Sequence, residues 1–297
     1  MQEFKSMTLT QGIIKEKQEW RVSNFRTDQP EKFDLSIEFG NTHFSYAVFD
    51  SVTRFIKTVG KIEFDFQEKK DSYAILFSEL QSTSVDIIQN GYNRVYATWN
   101  APGATLIPAS FYNENKKVDF LQFNNGATNN QRIIAEDTRG GEIKVLYSIP
   151  EPIKMYLDAK FSNHKIKHVS SSLMDIIASS STRNTDKLGF INLNTSNFNL
   201  LLMDKGLRFF NTFNYTTQED ILYYILFALE QNGFDAHEDK ILLSGEVESE
   251  SGTHKLLKDY IKNISFAITD KSLLRNDNIS KLPHHFFFNL LNRFVCG

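Results

Sequence analysis

The sequence predicts a mixed α/β chain in two lobes, each built on a mixed β-sheet that opens with a β-hairpin and carries helices on it. Three observations point there. Short apolar runs of strand character alternate with segments whose apolar residues recur at helical spacing. One polar, small, aperiodic stretch, Ser179–Lys187 (SSSTRNTDK), divides the chain. The segment Ile37–Thr58 is written again, in altered form, 154 residues downstream. At 297 residues the chain is long enough for two hydrophobic cores.

In chain order, residues 1–30 read as a polar, weakly patterned N-terminal extension, 31–180 as the first lobe and 181–297 as the second. The first lobe opens with strands Phe33–Phe39 and Phe44–Phe49 around the break Gly40-Asn41-Thr42. A third strand, Arg54–Phe66, is interrupted near Gly60, and Tyr73, Leu76, Phe77 and Leu80 mark a helix. Arg94–Trp99 and Ala104–Ile107 are strands separated by the turn Asn100–Gly103, and residues 117–124 suit a short helix. Arg132–Thr138 and Glu142–Ile149 form a hairpin across Arg139-Gly140-Gly141. Pro150–Phe161 reads as a helix, Lys165–Val169 as a strand and Ser171–Ser179 as a helix; residues 94–165 are either an inserted subdomain or part of the first lobe.

The second lobe repeats the scheme with strands Leu188–Leu193, Asn199–Met203 and Arg208–Phe213. Thr216-Thr217-Gln218-Glu219 is a capping-box pattern, Ile221, Leu222, Ile225, Leu226 and Leu229 form the apolar stripe of the helix that follows, and Gly233 suits its C-terminal cap. Strand Ile241–Leu243, a helix near Lys255–Ile261, a strand near Ile264–Ile268 and a helix near His284–Phe294 close the chain.

Laid without a gap, IEFGNTHFSYAVFDSVTRFIKT (37–58) and INLNTSNFNLLLMDKGLRFFNT (191–212) share six of 22 positions. These are Ile37/Ile191, Phe44/Phe198, Asp50/Asp204, Arg54/Arg208, Phe55/Phe209 and Thr58/Thr212. Two copies imply a duplicated supersecondary unit rather than a solenoid. Patterning shared by any two antiparallel hairpins stays open beside duplication.

A duplicated hairpin that opens each half resembles the actin-like ATPase superfamily of actin, sugar kinases and bacterial filament and pilus-assembly proteins. Glu38-Phe39-Gly40-Asn41-Thr42 stands where that superfamily carries its first phosphate-binding Asp-x-Gly-Thr/Ser pattern, and Asn192-Leu193-Asn194-Thr195-Ser196 stands at the second. Ile241-Leu242-Leu243-Ser244-Gly245-Glu246 takes the place of the adenosine motif, with one glycine instead of two. The stretches ATLIPASFYNE, FFNTFNYTTQEDILYYILFALEQ, LLSGE and LPHHFFFNLL also resemble a narrower family of uncharacterised bacterial proteins, near the pilus-assembly branch. The resemblance implies an actin-like ATPase fold over residues 33–297, with no assigned chemistry to carry over.

In the superfamily, backbone N–H groups at a tight glycine turn point at phosphate oxygens, and the Asp helps hold Mg²⁺. By position, Glu38, Gly40, Asn41, Thr42, Asn192, Asn194, Thr195, Ser196, Ser244, Gly245 and Glu246 are the candidate phosphate and nucleotide cleft. Glu38 would reach Mg²⁺ in the Asp's place; a carboxylate at a strand end facing water is the other account. Asn192 has no charge, Asn194 adds a side chain where backbone should meet phosphate, and Glu246 adds bulk and negative charge beside the adenosine position.

Three readings follow. The first is a non-catalytic or weakly nucleotide-binding actin-like scaffold or interaction module, working through an unknown protein partner or self-association. The second is a divergent Mg-ATP-binding ATPase or kinase, and the third a sugar or acid kinase. A net charge of −3 and unclustered Lys and Arg argue against a nucleic-acid partner. The single cysteine, Cys296, excludes a disulfide framework and a multi-cysteine zinc site, and the expected location is cytoplasmic. No apolar stretch is long enough to span a membrane. The pair His164 and His168 would lie about 13 Å apart along a strand, too far to share one metal. His284-His285 before Phe286-Phe287-Phe288, in the closing helix, reads as core packing, with a partner groove on this aromatic run as the other account.

Overall fold

Strand-forming residues dominate both halves, and the sheets they build have one plan. The computed structural model describes residues 5–8, 12–66, 72–84, 86–125, 131–161, 163–179, 187–274 and 279–296; most of the expected linker, 180–186, lies outside them. The chain divides into a first unit (1–172, 270–282 and 290–297) and a second (173–269 and 283–289).

The first unit contains β1 (Lys5–Thr8), β2 (Ile14–Arg21), β3 (Phe33–Gly40), β4 (His43–Asp50), β5 (Phe55–Phe64), α1 (Ser72–Thr83) and β6 (Arg94–Asn100). Next come β7 (Thr105–Pro108), α2 (Lys117–Asn125), β8 (Gln131–Asp137), β9 (Ile143–Pro150), α3 (Glu151–Lys160) and β10 (His164–His168). Helix α4 (Val169–Ser179) leads from one unit to the next. The main sheet has the order β1-β2-β5-β4-β3-β6-β10. Leu35, Ile37, Phe39, Phe44, Tyr46 and Val48 are buried on one face and Ser36 and Ala47 on the other, because its middle strands are covered on both faces. The segment between β6 and β10 carries a separate sheet, β7-β9-β8, whose buried Ile107 and Leu146 pack with Leu121 of α2.

The second unit contains β11 (Lys187–Leu193), β12 (Asn197–Asp204), β13 (Leu207–Asn214), α5 (Gln218–Gln231), β14 (Lys240–Gly245), α6 (Gly252–Tyr260) and β15 (Ile264–Phe266). Its sheet order is β13-β12-β11-β14-β15. The outer two pairings on one side are antiparallel and those on the other parallel, as in β5-β4-β3-β6-β10. Ile221, Ile225, Ala228 and Leu229 of α5 bury against Ile191, Phe198, Leu200 and Leu202. The closing segment is a 3₁₀ turn, His284–Phe287, followed by α7 (Phe288–Cys296), not one continuous helix.

The 154-residue offset maps one hairpin onto the other. Phe39 pairs with Phe44 and Leu193 with Phe198; Ile37 pairs with Tyr46 and Ile191 with Leu200. In the third strand the ungapped match fails. Thr58 pairs with Val48, but Thr212 pairs with Asn199, three residues out of step. The turns explain the slip. Asp50 caps a four-residue loop by accepting from the N–H groups of Val52 and Thr53, and Arg54 takes φ 60°. The second copy turns in two residues, with Lys205 at φ 57°.

Other expectations change as well. The N-terminal extension supplies β1 and β2, and β2 pairs with β5. Strand β5 runs unbroken through Gly60, which lies under the Tyr46 ring: a Cβ there would sit 2.2 Å from Tyr46 Cζ. The capping box of α5 sits one residue later than expected. Thr217 is the N-cap and Asp220 its reciprocal partner. Thr217→Ala should therefore lower stability by about 1 kcal/mol, and Thr216→Ala by a few tenths at most. Urea unfolding of the two variants checks the cap position, and an equal cost for both would refute it.

Candidate functional site

In the first unit the hairpin between β3 and β4 presents Glu38. Its Oε1 accepts from Asn100 Nδ2 at 2.9 Å and lies 3.3 Å from His43 Nε2. The Glu38 side chain is 12% exposed, so the water-facing account does not hold. Gly40 leaves room for the His43 ring rather than making a turn. It has no positive φ, and a Cβ there would lie 2.3 Å from the His43 ring. Asn41 and Thr42 are exposed at the tip, and the Thr42 carbonyl accepts from Phe64 N at 2.8 Å. Glu38, Gly40, Asn41 and Thr42 thus share one strand end, with His43 and Asn100 as partners that sequence alone does not single out.

In the second unit the ends of β11 and β14 bring together all seven remaining candidates. Ser244 Oγ donates to Asn192 Oδ1 at 2.9 Å. Asn194 binds back to Asn197 twice, N to O and Nδ2 to Oδ1, at 2.8 Å each. Thr195 Oγ1 donates to Glu246 Oε2 at 2.9 Å, and Glu246 N donates to Leu193 O at 2.8 Å. Tyr215, which follows β13, donates its hydroxyl to the Asn194 and Thr195 carbonyls at 2.6 and 3.1 Å, and its N donates to Ser196 O at 3.2 Å. Burial first, and the Glu246 charge second, push the Tyr215 hydroxyl pKa up, so it stays a donor. Gly245 makes the sharp turn that brings Glu246 back to Thr195, at φ 88°. The result is a hydrogen-bonded strap from the hairpin turn to the end of β14. Tyr215 and Asn197 complete it, and neither carries a motif that would have revealed it.

The remaining histidine pair is placed too. His168 is fully buried, with Nδ1 2.8 Å from Ser170 Oγ and Nε2 2.9 Å from Ala101 O. Among the described residues no group of three or more His, Cys, Asp or Glu side chains is arranged to hold a metal ion. His285 stacks on Phe266 with ring centroids 4.0 Å apart, and its Nε2 lies 2.8 Å from Val247 O.

A family model described as "Protein of unknown function (DUF3822)" matches residues 22–264. The chain belongs to the DUF3822 family. No curated protein matches it. Among solved structures, this DUF3822 chain is similar to a Bacteroides thetaiotaomicron protein with actin-like ATPase fold and unknown function. The TM-score is 0.71 at 16% identity, over 82% of this chain and 95% of that one. It is also similar to a chain of the PilM–PilN type IV pilus biogenesis complex, with a TM-score of 0.55 at 10% identity over 90% of this chain and 99% of that chain. With the duplicated sheet order, these likenesses establish an actin-like ATPase fold for the DUF3822 chain.

Proposed function

We propose that this DUF3822 protein is a non-catalytic, actin-like scaffold or interaction module. One observation supports the reading: the carboxylate of Glu246, the residue that the resemblance sets at the place of a second glycine, is held by Thr195 of the opposing turn. A negative charge is therefore fixed where a nucleotide would have to approach. Asn192 and Asn194 are engaged by Ser244 and Asn197. So arranged, the second unit's residues do not fit a triphosphate with Mg²⁺. The likeness to a chain of the PilM–PilN type IV pilus biogenesis complex supports a protein partner for this one, and the net charge supports no nucleic acid. No helix among the described residues is long and apolar enough to cross a membrane. The single cysteine supports a cytoplasmic setting.

The second reading is a divergent Mg-ATP-binding ATPase or kinase, which Glu38 favours by keeping a carboxylate at the end of β3. Thermal denaturation with and without Mg-ATP separates the two. A ligand at about 100 times its Kd adds about 2.7 kcal/mol. The scaffold reading expects no shift. An upward shift that disappears in Glu38→Ala overturns it in favour of nucleotide binding.

A further inference from the structure

We infer that the outer edge of β13 is a docking surface for a second copy of this chain, the two β13 strands pairing antiparallel about a twofold axis. This deepens the interaction-module reading and rests on it. Natural sheets protect their edges with short strands, lysines, prolines or charges, because an open row of N–H and C=O groups templates pairing. The other edges here follow that rule. Strand β10 carries Lys165 and Lys167 within five residues, β15 has three residues, and β1 has four. Strand β7 has four residues ending in Pro108, and β8 carries exposed Arg132 near one end and exposed Asp137 at the other.

Strand β13 departs from it. It has eight residues, LRFFNTFN, with Arg208 the one charge and neither Pro nor Gly. Its ladder to β12 is regular from Asn214 to Phe209, with the irregularity confined to the far end. No strand among the described residues lies beyond it. The duplicated unit shows what such an edge accepts: its counterpart, β5, is covered by an antiparallel strand, β2, with Gly60 opposite Glu19 and Ile62 opposite Lys17.

Two features select a second copy as the occupant. Antiparallel pairing about a twofold axis lays the end that carries exposed Lys205 and Arg208, net positive although Arg208 also pairs with Asp204 at 3.5 Å, alongside the partner copy's acidic end, where Glu219 is exposed at the start of α5. An aromatic ladder also runs from the edge onto α5. Phe213 stacks on Tyr224 at 4.9 Å, Tyr224 meets Tyr223 at 5.4 Å, and Tyr223 stacks on Phe227 at 6.1 Å. Tyr223 and Phe227 are 62% and 50% exposed. A twofold axis normal to the sheet places both α5 helices on one face, where these rings cover each other.

Sedimentation velocity of the full chain over a concentration series tests this. The wild type should show a monomer–dimer equilibrium. Asn211→Lys puts a charge at an exposed position of the edge, where Asn211 Oδ1 now accepts from Thr212 N at 2.9 Å, and should raise the dimer Kd about tenfold or more with at most a small shift of the melting curve. Arg208→Glu and Glu219→Lys should each weaken the dimer, and the two together should restore it. A wild type monomeric throughout, a dimer indifferent to Asn211→Lys, or a charge-swapped pair that fails to recover would overturn the proposal. A monomer would leave the Mg-ATP melting result, and the choice it makes, untouched.

Discussion

Gly245→Ala should cost the second unit at least about 4 kcal/mol, in the range reserved for backbone conflicts that cannot relax. Two causes add. Gly245 holds φ 88°, where an alanine pays about 1–2 kcal/mol for its Cβ. That Cβ would also fall 1.9 Å from Leu193 O and 2.7 Å from Leu193 C and N. These are backbone atoms of the strand paired in register with Gly245, so no side chain can rotate out of the way. Gly233 supplies the control. It holds φ 72° just past the end of α5, but an added Cβ meets nothing within 4 Å. Gly233→Ala should cost about 1 kcal/mol. Urea midpoints of the two variants measure the difference; comparable losses would mean that β11 and β14 are not that close. The consequence reaches the site, because the same turn returns Glu246 to Thr195.

The sequence reveals the architecture where pattern and contact coincide. Ile37 and Ile191 occupy the same rung of their hairpins because both copies bury the same run of apolar positions around a turn of the same length, so the first turn of each repeat transfers without a gap. The match through Thr58 and Thr212 misleads because turn length, not strand pattern, sets register beyond the second turn. Strand β2, IKEKQEWR, escapes notice because after Ile14 it is only partly buried or exposed, leaving no apolar alternation to read. The site shows the same division. Glu38 and the turns Asn192–Ser196 and Ser244–Glu246 stand out through resemblance, whereas His43, Asn100, Asn197 and Tyr215 join them only through pairing across the sheet.

Glu136 also escapes the sequence, and it should make stability depend on pH. In β8 it looks like one more charge on an exposed hairpin, yet its Oε2 is shielded from solvent with no hydrogen-bond partner among the described residues. Its Oε1 accepts from Ser171 Oγ and from His168 N at 2.8 Å. Burial dominates these bonds and the Lys167 and Arg293 charges, and raises the carboxyl pKa to about 7. Unfolded, the group titrates near 4.5, so between those values the native state alone holds the proton. Stability from this group is complete below pH 4.5 and is lost as the pH rises through 7, at about 1.4 kcal/mol per unit.

His168 works in the opposite sense. Burial lowers its pKa from 6.5 to about 4, so its contribution is complete above 6.5 and lost as the pH falls towards 4. Between pH 4.5 and 6.5 the two slopes oppose each other and nearly cancel. Glu136→Gln keeps the shape and the Oε1 acceptor but removes the titration. The variant should match the wild type near pH 4 and exceed it by about 3 kcal/mol at pH 8. It should also expose a stability that climbs with pH from 4.5 to 6.5, where the wild type stays level relative to it. Urea unfolding of both proteins at pH 4, 6 and 8 measures the gap. A gap that stays constant with pH, or a variant weaker than the wild type at pH 8, would show that the carboxylate is ionised and well solvated, and that the buried contact between β8 and the start of α4 does not form as described.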